Sequence, residues 1–281
     1  LSDPRIESWT ASDGYLWKYR RFDPIGQTHG EIVALHGIQS QGGWYEASSR
    51  FLAENGWGVS FLDRRGSGLN QQARGDCPSF RRLLDDIAEF MWPLRQQSAR
   101  PIVLQGISWG GKMAFALQKR APGLCDGIIL VAPGFHPKVR PSLPVRLGVL
   151  LNRFIQPTKL LPIPLNDPEL FTANREQQRF IRDDPLSLHQ ATARFLFESR
   201  RLDLYVRRAR RHVFVPTLLM LAMKDRIIDN SKTCRFVRRM RQVPNIEYVD
   251  GHHTLEFEDG ATLQTYVGKL HQWLQTIRSS T

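Results

Sequence analysis

Ser108 stands at the centre of Gly106-Ile107-Ser108-Trp109-Gly110, a G-x-S-x-G pattern. The apolar run Pro101-Ile102-Val103-Leu104 before it reads as a short buried strand, and Gly111-Lys112-Met113-Ala114-Phe115-Ala116-Leu117 after it reads as a helix packed through small and apolar residues. Strand, tight turn and helix with Ser at the apex is the setting in which a hydroxyl becomes an exposed nucleophile. Such a turn is strained, and its flanks must be Gly because a side chain there strikes the strand or the helix. The strain lifts the Ser108 hydroxyl above the sheet edge and aims the Trp109 backbone N–H at whatever Ser108 attacks.

A hydroxyl needs a base to take its proton and a third group to orient that base. Lys224-Asp225-Arg226-Ile227-Ile228-Asp229 closes the apolar run Pro216 to Met223, and Asp250-Gly251-His252-His253 closes Ile246 to Val249. Ser, acid and His therefore occur in the order Ser108, then Asp225 or Asp229, then His252 or His253, each after a strand. Attack on a carbonyl also places negative charge on its oxygen, which fixed N–H donors must already face. Trp109 supplies one donor. The Ile38 N–H of His36-Gly37-Ile38, beyond the strand Glu31 to Leu35, offers the other. His36, Gly37 and Trp44 are the expected substrate-side positions, with Trp44 and Tyr45 either walling the pocket or packing under the loop. The chemistry is acyl transfer, which needs no cofactor and no metal.

Elements that alternate must position these groups. Arg5 to Trp9 and Tyr15 to Phe22 alternate around Asp13-Gly14, a hairpin signal. Glu31 to Leu35, Trp57 to Leu62, the run before Ser108 and Gly127 to Ala132 read as buried parallel strands. Helices fall between them, near Tyr45 to Asn55 and through Phe80, Leu83, Leu84, Ile87, Phe90, Met91 and Leu94. After Val213 to Met223 come a helix near Ser231 to Arg241, the strand Ile246 to Val249, and a last helix with Leu263, Tyr266, Val267, Leu270, Leu274 and Ile277 on one face. The expected class is α/β, a mostly parallel sheet flanked by helices with its active site at the carboxyl ends of strands.

Residues 134–212 break the pattern. They hold eight of the seventeen prolines, fifteen Lys and Arg against seven Asp and Glu, and no clear strand. Net charge over the whole chain is +12, and the pI is about 10.1. Most of that excess therefore belongs to this segment. The expected division is a body of residues 1–133 and 213–281 with a helical insertion, 134–212, roofing the strand ends. Helices are expected at Arg175 to Arg182 and Leu188 to Arg211. Leu143, Leu147, Leu150, Leu151 and Phe154 recur at helical spacing. They line an acyl tunnel, lie in a lipid interface with Arg146, Arg153 and Lys159 at head-group level, or pack the insertion onto the body. The run Arg207-Arg208-Ala209-Arg210-Arg211 reads as a solvated helix end or a contact for anionic lipid or an anionic substrate. No aromatic-interleaved basic groove is visible, so nucleic acid is not an expected partner.

Of the 281 residues, 41% are hydrophobic and 23% charged, and no uncharged apolar stretch is long enough to span a bilayer. Cys77, Cys125 and Cys234 are odd in number and far apart, which argues against a disulfide framework and points to a reducing, cytoplasmic compartment. The first residue, Leu1, is read as the result of trimming or processing, and a removed leader stays open.

The chain resembles the α/β-hydrolases, and within them the monoacylglycerol lipase and lysophospholipase-like serine hydrolases. Residues 30–135 and 213–280 carry the likeness. The matching pieces are Leu35-His36-Gly37-Ile38 with Gly43-Trp44-Tyr45-Glu46, Asp63-Arg64-Arg65-Gly66-Ser67-Gly68, Gly106 to Gly111, Lys224 to Asp229, and His253 followed by Glu258. The resemblance implies an α/β-hydrolase fold with an inserted helical cap. It implies Asp225 as the acid, His253 as the base, and Ile38 and Trp109 as oxyanion donors. It further implies a lipase-like serine esterase of lipid metabolism whose substrate is a small acyl ester. Amide, thioester or carbon–carbon bond hydrolysis by the same triad, and a non-catalytic ligand-binding homologue, are the alternatives. Gln39-Ser40-Gln41-Gly42 stands where Glu-His is common, Arg64-Arg65 where His or Leu is frequent, and the insertion aligns with nothing in the family.

Overall fold

The computed structural model describes residues 3–278; residues 1, 2 and 279–281 of the expected body lie outside them. The chain opens with a hairpin, β1 (Arg5–Thr10) and β2 (Leu16–Phe22), whose turn needs the positive φ of Gly14. Then follow β3 (Gly30–Leu35), α1 (Glu46–Glu54), β4 (Trp57–Leu62), α2 (Phe80–Gln97), β5 (Ile102–Ile107), α3 (Trp109–Arg120) and β6 (Gly127–Val131). Next are α4 (Leu143–Ile155), β7 (Leu160–Pro162), α5 (Arg175–Asp183), β8 (Gln190–Thr192) and α6 (Ala193–Ala209). β9 (Thr217–Ala222), α7 (Asn230–Val237), β10 (Asn245–Val249) and α8 (Gly260–Arg278) close the chain.

The main sheet has eight strands in the order β1-β2-β4-β3-β5-β6-β9-β10. β1, β2 and β4 pair antiparallel, and every other neighbouring pair is parallel. β4, β5, β6 and β9 are buried along their whole length, as their nearly continuous apolar runs require of strands covered on both faces. The chain runs from β3 out to β4 and returns on the other side to β5. The loops leaving β3 and β5 therefore flank a topological switch point, where a crevice opens at the strand ends.

One feature of 134–212 differs from expectation. β7 and β8 form a small antiparallel sheet where no strand was expected. Three residues each, one of them Pro162, are too few to show alternation. Of the three roles open to the apolar side chains of α4, tight packing is not taken: Leu143, Leu147, Leu150, Leu151 and Phe154 are between 54% and 76% exposed. The last α-helix of this stretch, α6, is tied down. Trp109 Nε1 donates to Ser199 Oγ at 2.8 Å, and the buried Lys112 pairs with Asp203 at 2.7 Å.

Glu256 lies buried in the turn Leu255–Phe257 and accepts the Ser48 N–H of α1 at 2.7 Å. Burial pushes its carboxyl up to about 7, although the N–H groups of Ser48 and Ala47 pull the other way. The folded state thus holds this proton more tightly than the unfolded chain. The stability it contributes is complete below the unfolded value, near ~4.3, and is lost as pH rises through the folded one. Glu256→Gln keeps the acceptor and removes the charge. The variant should be more stable than the parent at about pH 8, by on the order of 3 kcal/mol, and the two should converge at about pH 4. Thermal melts at both pH values check this; a gap of equal size at both removes the explanation.

Candidate active site

The turn between β5 and α3 puts Ser108 at φ +52° and ψ −116°. For a residue with a Cβ this is a strained conformation, worth on the order of 1–3 kcal/mol. The surroundings enforce it. The Ser108 N–H donates to Val131 O at 2.9 Å, and Ser108 O accepts from Gly111 N at 3.0 Å and Gly134 N at 2.8 Å. A Cβ at Gly106 would sit 2.6 Å from Gly110 O, and one at Gly110 would sit 2.4 Å from Leu35 O. Both flanks of the serine are therefore closed to any side chain, and α3 can approach β3 and β5 closely enough to hold the turn.

His253, on the loop beyond β10, brings Nε2 within 3.0 Å of Ser108 Oγ. Its Nδ1 lies 2.8 Å from Asp225 Oδ2, on the loop beyond β9. The other Asp225 oxygen accepts the N–H groups of Ile227 at 2.7 Å and Ile228 at 2.8 Å. Burial pushes the Asp225 carboxyl up, but the adjacent His253 and those two N–H groups outweigh it and hold it below its ordinary value. An ionised Asp225 requires the proton on Nδ1, which turns the Nε2 lone pair toward the hydroxyl. Phe171 packs edge-on against the His253 ring, centroids 6.0 Å apart, and its carbonyl accepts the Thr254 N–H at 2.9 Å. Lys138 donates from Nζ to Asp225 O at 2.6 Å and steadies the acid loop.

The two neighbouring alternatives go elsewhere. Asp229 caps α7 by accepting the Lys232 N–H at 2.9 Å and pairs with the Lys232 ammonium. His252 turns away to Glu258, with Nδ1 3.1 Å from Oε1.

The loop beyond β3 lies against the serine, and a Cβ at Gly37 would stand 3.4 Å from Ser108 Cβ. The Trp109 N–H opens α3 and so has no acceptor within the helix. Ile38, half-buried, stands next to Gly37 on the same loop. His36 and Trp44 are both buried and hydrogen-bonded within the protein. His36 is buried, with Nε2 accepting the Arg64 N–H at 3.1 Å and Nδ1 2.7 Å from Gly37 O. Trp44 is 1% exposed, donates Nε1–H to Asp184 at 2.7 Å and packs among Phe171, Phe180 and Phe257. Asp184 and Leu188, whose N–H reaches Gln39 O at 2.8 Å, fasten residues 184–188 to this loop. Sequence reasoning passed over Arg64, Lys138, Phe171 and Asp184. Of these, only Arg64 left a trace, as a departure from the family pattern. Among the described residues no three His, Cys, Asp or Glu side chains converge as metal ligands do, and no helix is long and apolar enough to cross a membrane.

A family model described as serine aminopeptidase, S33, matches residues 26–260. The chain belongs to that family. This S33-family chain is 23% identical over 270 residues to monoglyceride lipase of Homo sapiens, covering 94% of this chain and 88% of that one. Its fold superposes on the crystal structure of Paleococcus ferrophilus monoacylglycerol lipase with a TM-score of 0.82 at 21% identity, covering 93% and 99% of the two chains. Against a soluble variant of monoglyceride lipase from Saccharomyces cerevisiae, solved with a substrate analog, the TM-score is 0.84 at 18% identity, covering 99% and 96%. The architecture is the α/β-hydrolase fold, and within it the chain is similar to monoacylglycerol lipases.

Proposed function

We propose that this chain is a serine carboxylester hydrolase that works through an acyl-enzyme on Ser108. The observation that carries the reading is the hydrogen-bonded line Asp225–His253–Ser108, ending on a strained apex beside the Gly37–Ile38 loop. His253 Nε2 takes the hydroxyl proton as Ser108 Oγ adds to the ester carbonyl carbon. Asp225 holds the imidazolium that forms. The oxyanion rests on the Ile38 and Trp109 N–H groups. As the tetrahedral adduct collapses, His253 returns the proton to the leaving alcohol. Water then repeats both steps on the acyl-enzyme and frees the acid.

Monoacylglycerol, lysophospholipid or a similar acyl ester is the proposed substrate class, and the names of the relatives support the first of these. We assign residues 134–212 to a cap over the strand ends, supported by the bonds from Asp184, Leu188 and Ser199 to the site's loops and helix. The exposed apolar side chains of α4, with Arg146 and Arg153 on the same helix, support docking to an anionic lipid surface. The three free, buried cysteines support a reducing, cytoplasmic setting.

The family description raises amide hydrolysis as a second reading. An aminopeptidase must hold its substrate's free ammonium with acidic groups, and the proposed cap carries fifteen cations against seven acids. A panel of matched acyl esters, acyl amides and aminoacyl anilides tests the choice, with long-chain esters offered in neutral and in anionic vesicles. Esters should turn over well above both amide classes, and anionic vesicles should raise the long-chain rates. Faster aminoacyl anilide than ester turnover would overturn the ester reading, and equal rates on the two vesicle types would remove the docking surface.

A further inference from the structure

Three charged residues follow one another at the end of β4 and its loop, and two have acid–base partners. The Asp63 carboxylate takes Arg20, the Gly42 N–H and the Leu69 N–H. Arg65 pairs with Asp86 and Asp13. Arg64 is different. Its guanidinium is buried, and among the described residues no carboxylate lies within ion-pair distance of it. Burial pulls its pKa down to about 9, which still leaves it protonated at neutral pH. A buried cation without a counter-ion is costly unless its donors are fully used.

Those donors go to the loop beyond β3. Nη1 donates to Gly37 O at 2.8 Å and Nη2 to Ile38 O at 2.5 Å. The planar fork thus grips two consecutive carbonyls. From below, the Arg64 backbone N–H fixes His36 Nε2 as an acceptor, so the His36 proton sits on Nδ1 and points at Gly37 O, 2.7 Å away. Burial and the adjacent Arg64 cation hold the His36 pKa well below its ordinary value, which keeps the ring neutral and this tautomer in place. Above, the guanidinium carbon lies 5.3 Å from the centre of the Trp109 ring and 5.2 Å from that of Phe195.

Gly37 O and the Ile38 N–H belong to one peptide unit. The chain has no cis peptide bond among its described residues, so carbonyl and N–H point in opposite directions across that plane. Drawing Gly37 O onto Arg64 and His36 turns the Ile38 N–H away from them. Two donors on the carbonyl also polarise the peptide and make its N–H a stronger donor. Trp109, which carries the second N–H, rests against the same guanidinium.

We infer that Arg64 is the positioning residue of the oxyanion hole: it aims and polarises the Ile38 N–H through the Gly37 carbonyl and braces Trp109 by stacking. It touches no substrate. The inference rests on the acyl-transfer reading above. A structural cation would serve the ground state and the transition state alike, whereas an oxyanion brace acts where charge develops.

The test measures kcat, KM, and inhibition by a trifluoromethyl ketone, which forms a tetrahedral adduct, beside a non-reacting acyl alcohol of the same chain length. Arg64→Leu should lower kcat by on the order of 10²-fold with KM little changed. The ketone should weaken by the same factor and the alcohol should not. Arg64→Lys keeps the charge but not the fork, so it should recover part of the loss. Equal weakening of ketone and alcohol, or parental kcat in either variant, overturns the inference. If Arg64→Leu does not fold, Arg64→Lys decides alone: reduced kcat at parental KM supports the brace, and parental kcat removes it. Ser108→Ala separates the two levels. Its retaining activity removes acyl transfer and the brace together, whereas an inert Ser108→Ala beside a fully active Arg64→Leu removes only the brace.

Discussion

Ser108→Ala lowers kcat toward acyl esters by on the order of 10⁵–10⁶-fold and abolishes labelling by a fluorophosphonate probe. The reason lies in the geometry. With Oγ gone, His253 Nε2 has no hydroxyl at 3.0 Å to deprotonate, and no other described side chain hydrogen-bonds to that nitrogen. The residual rate should be what the oxyanion donors give to direct attack by water. Stability should hardly move. Ala meets the same penalty at φ +52° as Ser, and the Val131, Gly111 and Gly134 backbone bonds that hold the turn remain. Kinetics, probe labelling and a thermal melt of the purified variant check the three statements together. Full probe labelling at another residue would move the nucleophile.

Asp225→Asn should lower kcat by on the order of 10⁴-fold, and Asp229→Asn should leave it close to parental. The two carboxylates are four positions apart but do different work. Asp225 accepts from His253 Nδ1 at 2.8 Å while Ile227 and Ile228 hold its other oxygen. An Asn there keeps the acceptor toward those two amides and turns its NH₂ to Nδ1. The imidazole must then carry its proton on Nε2, facing Ser108 as a donor rather than a base. Asp229 accepts the Lys232 N–H as a helix cap, which Asn does equally well. Parallel kinetics on the two variants decide between them, and the reverse ranking would reassign the acid.

The strand–turn–helix around Ser108 was readable because it is local. Its apolar run, flanking glycines and packed helix all lie within about one βα unit. The parallel strands were readable for the same reason, since unbroken apolar runs such as Ile128 to Ala132 admit few other structures. Local reading stopped at adjacent choices. His252 and His253 differ by one position, and only the path of the loop beyond β10 sends one to Glu258 and the other to Ser108. Long-range partners were not legible at all. Nothing near His36 announces that both ring nitrogens are taken by Arg64 and Gly37, and nothing near Trp44 names Asp184, 140 positions away. The orientation of α4 was equally hidden, because helical spacing shows that a face is apolar but not what that face meets.

β10 is the outermost strand of the sheet on its side and pairs only with β9 among the described strands. Four of its five residues are incompletely buried, unlike those of β5, which are buried throughout. The imidazole is thus hung from the margin while the hydroxyl is rooted at the centre. Margins open at lower free energy than centres. Detachment of that margin would part hydroxyl from imidazole while the remaining strands stay assembled, so activity is expected to be lost at a lower temperature than the fold.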